Sequence, residues 1–83
     1  MATFDSKDIV RTIMENDGYY PGDPQAYHVV EYTNMAGNKC WHVAMSAYEA
    51  QGVYDSPFCK DPVILWHCVS QLSEAGKEFL ENG

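Results

Sequence analysis

Ile9, Val10, Ile13 and Met14 recur at helical spacing near the start of the chain, while Lys7, Arg11, Thr12 and Glu15 fall largely off that stripe. The pattern predicts an amphipathic helix lying on a core. Asp5 is its natural N-cap, Asp8 sets negative charge at the positive end of the dipole, and Phe4 and Ile9 are spaced as a hydrophobic staple. Asn16-Asp17-Gly18 ends the helix, because glycine takes the left-handed conformation without strain. Residues 18–25 then read as a loop: Pro21-Gly22 suits the centre of a type II turn, and Pro24 keeps a helix from restarting.

From residue 27 the period shortens to two. Segments 27–33 and 40–45 are rich in β-branched and aromatic residues, and Met35-Ala36-Gly37-Asn38 between them is a turn signal, so the pair predicts a β-hairpin. Alternation puts Val30 and Tyr32 with Trp41, Val43 and Met45 on a core face, His28 at its margin. Val29, Glu31 and Thr33 with Cys40, His42 and Ala44 fall on the other face. A turn of two or four residues centred on Ala36-Gly37 sets Glu31 opposite His42. Residues 63–68 form a third strand, apolar on both sides, with Pro62 just before it. The connection 47–62 is the least regular part: Ala47-Tyr48-Glu49-Ala50 can make one helical turn, and 52–54 can make a short extra strand. Leu72, Ala75, Phe79 and Leu80 form the buried side of a short last helix, N-capped by Ser73. The expected fold is therefore one α+β domain over 1–83. It has a small antiparallel sheet of three strands, or four with the extra one, an N-terminal helix and a short C-terminal helix, in the order α-β-β-(β)-β-α.

Leu72-Ser73-Glu74-Ala75-Gly76 resembles the short Leu-Thr/Ser-x-x-Gly segment of winged-helix regulators. The likeness covers nine residues, and the three-helix unit that precedes a wing has no counterpart here. It implies no function for this chain.

Charge narrows the classes of partner. Twelve Asp and Glu against five Lys and Arg leave a net charge of −7, spread along the chain. No basic stripe exists for a phosphate backbone, so direct nucleic-acid binding is not expected, and an acidic surface does not suit an anionic membrane. Charged residues interrupt the N-terminus before any signal-like apolar stretch develops, and three cysteines without a paired spacing do not make a disulfide framework. A cytoplasmic protein with reduced thiols is the expectation.

Candidate chemistry is sparse. Cys40 and His42 stand two apart on a strand and point the same way, with Cys59 and His67 as further metal donors, but the spacing matches no zinc-binding pattern and no cofactor is implied. A Cys40–His42 nucleophile would lack an oxyanion loop. No phosphate loop, nucleophile elbow or zinc-protease sequence occurs, so no enzyme is expected. Two tryptophans, six tyrosines and three phenylalanines in 83 residues instead direct attention to aromatic contact surfaces. The expected function is a non-catalytic protein-binding or regulatory module, with Tyr19, Tyr20, Asp23, Tyr48, Glu49, Tyr54 and Asp55 as candidate partner contacts. A metal- or thiol-dependent enzyme at Cys40 and His42, and a structural subunit of a homodimer or larger homo-oligomer, are the alternatives.

Overall fold

A computed structural model describes residues 2–4, 7–68 and 71–82. Its elements run β1 (Ala2–Phe4), α1 (Lys7–Glu15), β2 (His28–Thr33), β3 (Lys39–Ala44), α2 (Ala47–Tyr54), β4 (Lys60–Cys68), β5 (Gln71–Leu72) and α3 (Glu74–Asn82). The sheet order is β1-β3-β2-β4-β5 and every pairing is antiparallel. Three longer strands make the centre and two short ones the edges, so the small α+β class expected from the sequence holds. Among the described residues no helix is long and apolar enough to cross a membrane.

Local signals set the helices. α1 buries Val10, Ile13 and Met14, and it stops where Gly18 (φ +92°) donates its amide to Ile13 O at 2.9 Å. The Asp5 cap, and the Phe4 side chain of the staple, lie outside the described residues. Pro21-Gly22 forms the expected turn, with Asp23 N donating to Tyr20 O at 2.9 Å and Gly22 at φ +88°. Ser73 caps α3 by accepting from Gly76 N at 2.9 Å. Arg11 reaches from α1 to the end of α3, donating to Leu80 O at 2.8 Å and Phe79 O at 3.2 Å. Its guanidinium lies 5.7 Å from the centre of the Phe79 ring.

The hairpin departs from the expected pairing. Its turn has five residues, 34–38, because Asn34 Oδ1 accepts from both Ala36 N (3.0 Å) and Asn38 N (2.9 Å). An odd turn shifts the register by one and exchanges the face partners. Glu31 pairs with Trp41, and His42 with Val30. Val29, Trp41 and Val43 thus share a core with Val10, Ile13, Met14, Leu65 and Trp66, under α1 and α3. Val30, Ala44 and Ala50 form a second core beneath α2, with Ile64 and Val53 against it. Met45, expected on the core face, lies beyond the end of β3 and is exposed.

The extra strand expected at 52–54 is instead the last part of α2. Val53 and Tyr54 favour a strand locally, but Ser46 starts a helix by accepting from Glu49 N at 3.1 Å, and burial of Ala50 and Val53 carries it on. β4 begins at Lys60, before the expected start, and takes in Pro62 at a register shift where Asp61 has φ +50°. A bulge is where a strand tolerates proline. A second shift leaves Leu65 between the pairs Val29↔Trp66 and Val30↔Ile64, and Leu65 and Trp66 both enter the α1/α3 core. α3 lies close over this bulge: Ser73 Oγ donates to Leu65 O at 3.0 Å, and Gly76 is buried against the same carbonyl.

Candidate functional site

The turn from β3 into α2 takes only Met45 and Ser46, so the first turn of α2 stands over the strand it follows. Alternation sends Cys40, His42 and Ala44 to this side. Glu49 turns inward, and its Oε2 meets His42 Nε2 at 2.7 Å. The His42 residue is only 7% exposed. Desolvation pushes the Glu49 carboxyl up, but hydrogen bonds from His42 and from the Met45 backbone, with the charge of His42, outweigh it and hold the group below the usual carboxylate range. The pair clasps α2 to the sheet.

An imidazole–carboxylate pair is also the base half of a nucleophilic triad, which needs a nucleophile in reach. Cys40 shares the strand and the face. Its thiol, however, accepts from Asn34 Nδ2 at 3.4 Å and donates to Asn38 O at 3.7 Å, so it braces the hairpin turn. His67 is exposed on β4 and meets the His28 ring edge-on at 5.7 Å between centroids. Burial, then the neighbouring His67, push the His28 imidazole below its ordinary value, and its Nδ1 is buried without a partner. Cys59 is half-buried in the turn before β4. Among the described residues no three His, Cys, Asp or Glu side chains come together as metal ligands.

The seven candidate contact residues divide into two groups. Asp23 closes its own loop, accepting from Tyr27 Oη at 2.6 Å and from Gln25 N at 2.9 Å; these two bonds lower its pKa. Glu49 is engaged with His42, Asp55 accepts from Gln51 Nε2 at 3.0 Å at the end of α2, and Tyr19 is half-buried beside Ala26. Tyr20, Tyr48 and Tyr54 are exposed, and Tyr48 is 91% so. Met45 and Phe58 are exposed too, Phe58 to 65%; neither is among the seven candidates, and alternation places Met45 on the core face. Gln25 Nε2 donates to Met45 O at 3.2 Å, which sets the Tyr20 loop beside the start of α2. Comparison with protein-family models, with curated proteins and with solved structures gives no match.

On the opposite face of the sheet a groove of about 370 Å³ opens between α3 and the β2–β4 pair. Val63, Leu65, Ala75 and Phe79 supply its apolar lining, and Glu31, Glu78, Lys7 and Asn82 its polar one. Trp41 Nε1 donates to Glu31 Oε2 at 2.9 Å, which fixes the carboxylate from below.

Proposed function

We propose that the chain is a non-catalytic protein-binding module that meets its partner through α2 and the turn after it. Tyr48 carries the reading. The residue is 91% exposed on a helix held from beneath by the His42–Glu49 bond, the Ser46 cap and buried Ala50. An aromatic side chain displayed on a fixed element loses little freedom on docking, which is the condition for a binding hot spot. Met45, Tyr54 and Phe58 add exposed apolar area along the same stretch, and Tyr20 joins them from the adjoining loop. The net charge of −7 favours a basic protein partner over nucleic acid. A reducing, cytoplasmic setting accords with the free Cys40 and Cys59 thiols.

The test replaces Tyr48 with the photo-crosslinking residue benzoylphenylalanine and irradiates the protein in extract of its host. A discrete adduct is expected, and it should disappear when Tyr54 and Phe58 are both alanine while the far-ultraviolet spectrum stays unchanged. A diffuse smear, or an adduct indifferent to those changes, refutes the reading. The same exposed apolar set favours self-association as the second reading. An adduct at twice the 9.4 kDa chain mass, with a dimer in sedimentation, would establish that instead.

A further inference from the structure

We infer that the groove between α3 and the β2–β4 pair is a socket for the arginine side chain of a basic peptide segment. It lies on the face of the sheet away from α2 and is independent of the Tyr48 surface.

Two acidic residues from different elements line the groove. Glu31 comes from β2, with a side chain 20% exposed and one oxygen held by Trp41 Nε1 at 2.9 Å. Glu78 comes from α3, is exposed, and makes no ion pair among the described residues. A carboxylate already fixed by a neutral donor is a preorganised acceptor, because little freedom remains for it to lose on binding. Val63, Ala75 and Phe79 offer apolar surface for the methylene stem of an arginine, and the carboxylates of Glu31 and Glu78 in the same lining are acceptors for its guanidinium.

Two lysines oppose a cation, and both are weakly committed. Lys7 is an exposed member of the lining, so the groove's own walls carry one residual negative charge, which suits a single guanidinium. Lys39 touches Glu31 Oε1 at 3.5 Å through a half-exposed chain. A single long contact of this kind is the weakest class of ion pair, and a two-pronged guanidinium displaces an ammonium from it. The surrounding charge of −7 draws a basic segment toward the groove, and exposed Val63 at its edge gives the residues flanking the arginine a surface to cover. A free guanidine would use only the acidic groups and the surface for its stem, and leave Val63 at the groove's edge uncovered. A peptide uses all three.

The indole N–H of Trp41 reports on the site directly, since it is bonded to Glu31. The experiment titrates ¹⁵N-labelled protein with acetyl-Ala-Leu-Arg-Leu-Ala-amide, with the same peptide carrying citrulline for arginine, and with agmatine. The arginine peptide is expected to move the Trp41 indole and the Ala75 and Phe79 amides saturably. It should bind at least about fivefold more tightly than the other two probes. Glu31→Gln and Glu78→Gln should each weaken it by a similar factor, Lys39→Gln should tighten it, and Glu74→Gln should leave it unchanged. Two acidic variants are used so that one remains informative if the other unfolds. An absent or unsaturable shift overturns the proposal, as does equal binding of the citrulline peptide. Agmatine carries the same guanidinium and a similar stem, so its binding as tightly as the peptide leaves no part for the flanking residues and reassigns the groove to a free small guanidine, and concentration-dependent dimerisation through it reassigns it to a second copy; both overturn the proposal. None of these outcomes depends on Tyr48, so the two sites stand or fall separately.

Discussion

Gly52 and Gly76 both lie inside helices, and replacing each with alanine tests where α3 sits on the sheet. In an isolated helix the exchange stabilises by about 1 kcal/mol. At Gly52 an added methyl group meets nothing within 4 Å, so Gly52→Ala is expected to stabilise by about 0.5–1 kcal/mol. At Gly76 the methyl would overlap Leu65 O and come within 2.7 Å of Leu72 Cδ1. The Leu72 side chain can rotate away. The Leu65 carbonyl cannot, because it is fixed in β4 and also accepts from Ser73 N at 3.3 Å and Ser73 Oγ at 3.0 Å. α3 must then lift from the bulge. Overpacking of this kind costs about 1–3 kcal/mol, and weakening the two Ser73 bonds adds about 1 kcal/mol. Set against the gain of about 1 kcal/mol in helix propensity, the net loss is about 1–3 kcal/mol. That is a large share of the roughly 4–12 kcal/mol available to a domain of this size. Urea unfolding followed by tryptophan fluorescence reads both variants, since Trp41 and Trp66 lie in the core beneath α3. The midpoints are expected to move in opposite directions with unchanged slopes. A Gly76→Ala protein as stable as the parent would refute the placement of α3 on β4, and with it one wall of the groove.

Glu49 makes stability depend on acid. Its folded pKa is depressed, so the unfolded chain binds the proton more readily; the contribution is present above the ordinary glutamate value and is lost as pH falls through the depressed one. Between pH 7 and about pH 3, Glu49→Gln should therefore lose less stability than the parent, and equal losses would refute the clasp. Arg11→Met keeps the packing over Phe79 but removes the bonds to Leu80 O and Phe79 O, and should cost about 1–2 kcal/mol. Arg11→Lys should recover only part of this, because one ammonium cannot fork between two carbonyls. Hydrogen exchange at the end of α3 measures it, and unchanged protection in the Met variant would refute the anchor.

What the sequence revealed and what it withheld follow from how far each interaction reaches along the chain. α1 and α3 were legible because a stripe, a cap and a stop signal lie within a few residues of one another; Gly18 and Ser73 act where the pattern placed them. The faces of the hairpin depend on turn parity, and Asn34 decides parity by capturing two amides, so one polar side chain moved Glu31 from His42 to Trp41. That exchange also made Glu31 a groove wall. Cys40, His42 and Glu49 each stand out in the sequence, but the partnership of His42 with Glu49 requires α2 to be a helix. The strand-favouring Val53 and Tyr54 obscured that. Ser46-Ala47-Tyr48-Glu49 nevertheless spells a capping-box start, and the helix it begins brings Glu49 over β3. Tyr48 then follows, because a helix whose Glu49 and Ala50 face the sheet must present residue 48 to solvent. The groove left one local trace. A glycine within the apolar stripe of α3 has no use for its conformational freedom, so it marks a close approach of backbone to backbone, and Gly76 against Leu65 O is that approach.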